Sequence, residues 1–390
     1  MKPSKSPAGR RKRERGFSMV ELMIASAIGL ILMTGLSMIL VSNMQSRDEL
    51  AKNSVQIENG RFAIESMVQE IQLAGFYGEY LPPTVITWTT PNPCAVILEE
   101  MGFAAGTYRW NSSGTPNVPV GLQGYTESDT TPTCLANRKT GTDILVVRRA
   151  GTTPIKIDVN EDGTADASID TNGDGTNDAT YASLNNGYYL QVSNCSDTPS
   201  EFAFVMDHDN TQFTSHTIKP AGTPLSCLNG GFSPVRKYVV NIFYVASCND
   251  CSGSGDGIPT LKMAELTPAT TSCTATTTAS CGSFVIKPIA EGIENLQLEY
   301  GVDSSPSVGD GVPDAYKTAP AAADWANVVA VKIFLLARNT DKTLGYTDTK
   351  TYSLNSAGTA LSGTPFNDNY KRHVYSATAR ATNIAGRRSS

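Results

Sequence analysis

From Leu22 to Val41 the chain runs twenty residues without a charge or a proline. As a helix rising about 1.5 Å per residue, that run spans about 30 Å, the hydrocarbon thickness of a bilayer. It is too long for an ordinary core helix, so the rest of the chain must be read around a membrane span. The flanking charges give it a direction. Residues 1–16 hold Lys2, Lys5, Arg10, Arg11, Lys12, Arg13 and Arg15 against Glu14 alone, which is +6 in a chain of formal charge −6. The remainder therefore carries −12. A basic stretch directly before an apolar run stays cytoplasmic and sends the C-terminal bulk outward. The acidic pI of about 5.2 argues against nucleic acid as the main partner. With 40% apolar residues, wholesale disorder is excluded.

Two processing schemes compete for this segment. A secretory signal peptide would end at a small-x-small site, and Ala25-Ser26-Ala27 offers one. That scheme puts Glu21 inside the apolar core and leaves Ile28–Val41 unexplained on the mature protein. The other scheme cuts before the run, between Gly16 and Phe17, and retains it. The segment Arg15-Gly16-Phe17-Ser18-Met19-Val20-Glu21-Leu22-Met23-Ile24-Ala25 closely resembles the type IV prepilin processing site. The resemblance implies that a prepilin peptidase cleaves after Gly16 and that Phe17 becomes the N-methylated first residue. It also implies that Glu21 serves methylation and assembly, by pairing with the Phe17 amine of a neighbouring subunit. A carboxylate in a membrane helix costs about 2.5–3.5 kcal/mol on insertion scales, so it needs such a partner or the hydrated headgroup layer.

Past Val41 the pattern turns amphipathic, with Leu50, Val55, Phe62, Met67, Val68, Ile71 and Ala74 as the apolar positions. Gly75 is the expected C-cap, and Gly29, Gly35 and Gly60 are points where the helix could bend or melt. One helix from Phe17 to Ala74 would be roughly 87 Å long. The expected organisation is a cleaved leader over 1–16, a transmembrane or filament-core half over 17–43, an amphipathic half over 44–76, and a head over 77–390.

In the head, short β-rich runs bounded by Gly, Pro, Asn and Asp replace the helical period: Val85–Trp88, Ile144–Arg148, Tyr188–Val192, Phe202–Met206, Tyr238–Ala246, Leu296–Tyr300, Val328–Ala337 and Val374–Thr382. The fold class is α+β, an antiparallel sheet packed on the C-terminal half of a long helix. Thr/Ser/Gly-rich stretches 107–133, 267–283 and 354–369 read as long surface loops.

Several head segments resemble PilW-type minor pilins. They are Glu58-Asn59-Gly60-Arg61-Phe62-Ala63, Ala74-Gly75-Phe76-Tyr77-Gly78, Asp143-Ile144-Leu145-Val146-Val147-Arg148, Gly255-Asp256-Gly257-Ile258-Pro259-Thr260-Leu261, Glu294-Asn295-Leu296-Gln297-Leu298-Glu299-Tyr300-Gly301, Val331-Lys332-Ile333-Phe334-Leu335-Leu336-Ala337-Arg338 and Tyr370-Lys371-Arg372-His373-Val374-Tyr375-Ser376. The resemblance implies a minor pilin that initiates or caps a type IV pilus. Other minor and major pilins, the prepilin peptidase, the bacterial inner membrane and a tip adhesin are the implied partners. It further implies a single-pass protein with a periplasmic C-terminus before assembly, on the cell-surface fimbrium afterwards, in a pilus used for twitching motility, DNA uptake or cell adhesion. No cofactor is implied. A type II secretion pseudopilin, which shares the processing site, is the alternative.

All eight cysteines lie in the head: Cys94, Cys134, Cys195, Cys227, Cys248, Cys251, Cys273 and Cys281. An even count in an oxidising compartment reads as disulfides, and sequence proximity suggests 94–134, 195–227, 248–251 and 273–281. Cys248-Asn249-Asp250-Cys251 also fits a redox motif or half a zinc site, which keeps open a third reading as a membrane-tethered redox or binding protein. A tandem repeat follows a different logic. Asp158, Asn160, Asp162 and Asp166 recur twelve residues later as Asp170, Asn172, Asp174 and Asp178. Oxygen donors at alternating positions suit calcium, but the twelfth positions are Ile169 and Tyr181, so a solvated acidic loop competes equally. No catalytic constellation accompanies His208, His216 and His373, and Asp207-His208-Asp209 reads as a polar turn. The chain is not expected to be an enzyme.

Overall fold

The structure is a computed structural model that describes residues 16–78, 86–103, 109–110, 115–159, 164–174, 176–192, 204–215, 232–269, 280–305 and 309–389. Helix α1 runs unbroken over Met19–Leu73, through all three glycines expected to weaken it. Two compact units divide the chain, Met1–Ser54 and Val55–Ser390. In the first, no described residue is buried, and its large apolar side chains stand in the open.

Sixteen strands and a short second helix are described after α1. They are β1 Thr87–Thr89, β2 Arg109–Trp110, β3 Asn117–Pro119, β4 Leu122–Tyr125, β5 Ile144–Ala150, β6 Ser168–Ile169, β7 Ala179–Thr180, β8 Tyr189–Val192, β9 Phe204–Asp207 and β10 Val235–Ala246. Then follow β11 Thr260–Pro268, β12 Gly282–Glu291, β13 Ile293–Val302, β14 Ala315–Lys317, β15 Val328–Arg338, β16 Arg372–Arg380 and α2 Thr382–Arg388. Strand β10 is the spine of an eight-stranded sheet, pairing with β5, β8 and β11 along its twelve residues. A second sheet has the order β14-β13-β15-β16, entirely antiparallel. This is the α+β architecture expected, and each of the eight β-rich runs contributes to a strand. Eight of the sixteen described strands lay beyond the expectation: β2, β3, β4, β6, β7, β11, β12 and β14. Buried Val118 and Leu122 put β3 and β4 inside the stretch 107–133, because alternate apolar residues there reach the core. β11 went unrecognised, and β12 begins inside the stretch 267–283.

The main core forms where α1 meets both sheets. Ala63, Met67, Ile71 and Ala74 pack against Leu145, Val147 and Phe243 of one sheet and Leu296, Val331 and Leu335 of the other. The buried stripe of α1 is Gln56, Gly60, Ala63, Met67 and Ile71, at steps of four and three. This corrects the expected apolar face, since Leu50, Val55 and Phe62 are exposed. Size and hydrogen bonding decide the upper part of the stripe. Gln56 donates to the carbonyls of Ala337 (2.8 Å) and Lys371 (3.0 Å), where β15 ends and the chain enters β16. Asn59 donates to the Glu291 carbonyl at 3.1 Å. A Cβ on Gly60 would lie 2.4 Å from the Tyr375 ring, so only glycine permits this approach. Lower down, Arg149 forms a two-pronged pair with Glu70 at 2.9 and 3.0 Å. Gly75 closes the helix at φ +72°, as a C-cap should, and donates its N–H to the Arg148 carbonyl.

Two buried polar features hold the sheets in register. Arg372, its side chain 1% exposed at the start of β16, reaches Glu294 (2.5 Å), Asp348 (2.9 Å) and Asp368 (2.6 Å). Burial pulls its pKa down, but the bonds to Asp368, Glu294 and Asp348 hold the guanidinium above its ordinary value. Asp143 joins the two sheets, donating its N–H to the Leu296 carbonyl and accepting the Leu298 N–H at 2.8 Å. Its carboxyl is pushed up to about 7, chiefly by burial, with Glu127 adding to the shift while the Leu298 N–H and Arg138 oppose it.

Two outcomes follow from these contacts. Gly60→Ala gains about 0.5–1 kcal/mol of helix propensity, yet it should lower the melting temperature, because overpacking against Tyr375 costs about 1–3 kcal/mol. Gly60→Ala with Tyr375→Ala should recover part of that loss in the same melt. A carboxyl whose folded pKa is raised binds its proton more tightly in the folded state, so its contribution to stability falls as pH rises from about 4 to about 7. Asp143→Asn should therefore melt above the parent protein at pH 8, and the difference should shrink as the pH is lowered to 4.

Candidate functional site

At the N-terminal end, Gly16 has open space around it and Phe17 is 88% exposed, as a cleavage site requires. Ser18 then starts the helix. Its Oγ accepts the Val20 N–H at 3.3 Å, and its own N–H donates to Glu21 Oε2 at 3.0 Å. This is a capping box, legible in the sequence as Ser-x-x-Glu and missed there because Glu21 was assigned to a partner subunit. Within one chain the carboxylate thus has a backbone donor, which eases its place at the head of an apolar helix. From Phe17 to Met44 the apolar side chains are exposed, among them Leu22, Ile31, Leu36 and Ile39 at 60% or more. This is the one helix among the described residues long and apolar enough to cross a membrane. It fits membrane anchoring.

Farther along α1, Val55 and Phe62 are 49% and 53% exposed, seven residues apart and so on one face of the helix. Nothing described in the second unit covers them. The segments singled out by resemblance converge on the opposite face. Gly60 meets Tyr375, Glu294 meets Arg372, Gly75 meets Arg148, and Asp143 meets Leu296 and Leu298. Residues far apart in sequence are one docking seam between helix and sheets.

Cys94 bonds Cys134, and Cys248 bonds Cys251. Cys281 is also disulfide-bonded; Cys195, Cys227 and Cys273, and with them the expected 195–227 and 273–281 bonds, lie outside the described residues. In a chain-entropy view a loop of some forty residues gains about 4 kcal/mol from closure and a four-residue loop about 2. The first bond is the stronger staple.

The acidic repeat is a structural repeat too. Asp166 donates to the Ile157 carbonyl and accepts the Val159 N–H; Asp178 does the same with Ile169 and Thr171. Ile157 and Ile169 are both fully buried, so each twelve-residue unit anchors one isoleucine and turns through its own carboxylates. Asp170, Asn172 and Asp174 likewise accept backbone N–H groups, and Asp158 accepts that of Phe232. Asn160 and Asp162 lie outside the described residues, as does His216. Among the described residues no three His, Cys, Asp or Glu side chains gather as a metal site. Asp207-His208-Asp209 forms a turn in which Asp207 Oδ1 accepts the N–H groups of the next two residues.

Residues 242–383 match the family model described as type IV pilus-assembly protein W. Residues 11–37 match the prokaryotic N-terminal methylation motif. No curated protein and no solved structure matches the chain. The first match spans β11 to β16 and the last five residues of β10, which includes Glu294, Arg372 and Tyr375 of the docking seam but neither Asp143 nor Arg148; the second spans the Gly16–Phe17 junction and the start of α1. Together they identify a pilin-like role in type IV pilus assembly, and the matched family is a structural component of that assembly. Mass spectrometry of the membrane-extracted protein should accordingly find an N-methylated Phe17 terminus. Gly16→Leu should leave the leader attached.

Proposed function

We propose that this chain is a minor pilin of the initiation or tip complex of a type IV pilus. It enters the inner membrane with its head in the periplasm, is cleaved and methylated at Phe17, and joins other minor and major pilins by its helix. The observation that carries the reading is the junction Arg15-Gly16-Phe17 set directly before a capped apolar helix whose large apolar side chains are exposed. The exposed Val55 and Phe62 extend the apolar surface along the helix. The size of the head, 314 residues after Phe76, supports a terminal position. Repeated packing along a shaft favours small heads, whereas at a tip the neighbours above are absent. The match to pilus-assembly protein W favours this reading over a secretion pseudopilin.

Glu21 provides the test, because Gln keeps the capping acceptor and removes the charge. Glu21→Gln and Glu21→Ala should both accumulate in the membrane at the parent level, since neutral residues cost less there. Both should be depleted from sheared pili, since the neighbouring Phe17 amine loses its counter-charge. Parent-level incorporation of Glu21→Gln would reduce Glu21 to a helix cap. Deleting the whole chain should cut the number of pili per cell, and antibody to the head should label pilus ends.

A further inference from the structure

The bond between Cys248 and Cys251 closes too short a loop to be much of a staple, and its surroundings are unlike those of Cys94–Cys134. Lys262, on β11, is only 8% exposed, and its ammonium lies 3.4 Å from Cys251 Sγ. A bond to the Asn249 carbonyl at 2.9 Å holds it there. Cys248 is buried at 6% exposure, whereas Cys251 is partly exposed, so the two sulfurs differ in access. The loop does not need the disulfide for its shape. Asp256 accepts the N–H groups of Asn249, Asp250 and Ile258, and Asp250 accepts that of Ser252. Glu291 accepts from Asn249 Nδ2, and Arg338 donates to the Gly257 carbonyl.

From this arrangement we infer that Cys248–Cys251 is an exchangeable disulfide whose substrate is an external dithiol, with Lys262 as its positioning cation. One thiolate of the dithiol attacks the accessible Cys251 Sγ. The Sγ–Sγ bond breaks, its electron pair leaves on Cys248 Sγ, and that sulfur takes a proton from solvent. The second thiolate of the dithiol attacks the dithiol sulfur now bonded to Cys251. Cys251 departs as a thiolate beside the Lys262 ammonium. The dithiol is oxidised to its disulfide, and the protein pair is reduced to two thiols. A stabilised leaving thiolate leaves faster and favours the reduced protein. The charges facing Cys251 compete: Lys262 favours the thiolate, and the carboxylates of Asp250 and Asp256 oppose it. Both carboxylates are turned to backbone N–H groups, and the ammonium is the one in contact with the sulfur. Glu291 also accepts Asn59 of α1 on its carbonyl, so the exchangeable loop abuts the docking seam.

The test is a dithiothreitol titration of the full-length protein in detergent, with thiol alkylation and peptide mass spectrometry as the readout. Cys248 and Cys251 should become alkylated at a dithiothreitol concentration at least tenfold below that which opens Cys94–Cys134. Lys262→Met should raise the concentration needed about tenfold, and Lys262→Arg should restore it. In the parent protein reduced at this site alone, thiolate absorbance should show Cys251 titrating below the ordinary cysteine range, a readout that no variant's folding can disturb. Reduction of both bonds at the same concentration, or an ordinary titration of Cys251, would overturn the assignment.

Discussion

The contact on which the head depends is the approach of α1 to β16 at Gly60. With no side chain at that position, the Tyr375 ring lies directly on the helix backbone. One turn earlier, Gln56 can then reach two carbonyls at the junction of β15 and β16. The buried stripe below it, Ala63, Met67 and Ile71, inherits its register from this contact and enters the groove where the two sheets meet. A longer residue at 60 would lift the helix off the strand and expose that stripe.

Polar groups, more than apolar ones, decide how the strands meet that helix. The Arg372 cluster ties β16 to β13 through Glu294 and gathers the long connection between β15 and β16 through Asp348 and Asp368. Removing one member of a buried ionic group leaves the others uncompensated, so such a cluster discriminates strongly between registers. Asp143 does the equivalent for the two sheets, at the expense of a carboxyl held near neutrality by burial. The C-terminal α2 completes the closure. Ile384 and Ala385 enter the main core, Arg387 lies over Trp88, and Arg388 bonds the buried Asp303.

The same helix is used in two incompatible ways, and the pattern of exposure separates them. Before Val55 none of its described residues is buried, and beyond it one face is buried while Val55 and Phe62 remain exposed. On the proposed function, that division suits a chain that lies in lipid first and among neighbouring helices later, since the same apolar surface satisfies both environments. The capping box serves both stages as well. It gives Glu21 a partner within the chain before any neighbouring amine is present.

The strands that were legible in the sequence were long apolar runs such as Ile144–Arg148 and Val328–Ala337, whose period survives any context. β3 and β4 were hidden because polar and glycine neighbours dilute a four-residue pattern, though Leu122 is fully buried. The buried face of α1 was misread for a related reason. Apolarity predicts burial only where the neighbour is a flat apolar surface, and at Gln56 and Gly60 the neighbour is a strand end whose carbonyls accept from Gln56 and an aromatic ring.

What the sequence determined by itself was everything that depends on neighbours along the chain. Legible there were the apolar run from Leu22 to Val41, the charge step before it, the prepilin-like junction at Gly16 and Phe17, the cap at Gly75 and the fold class. Those follow from local composition and the bilayer's thickness. The tertiary structure alone decided which face of α1 is buried, why Gly60 must be glycine, where Arg372 finds its carboxylates, and that Lys262 stands beside Cys251. Apart from the pair Arg372–Asp368, these join residues between eleven and more than three hundred positions apart, and no local pattern specifies which distant backbone or side chain will be waiting there.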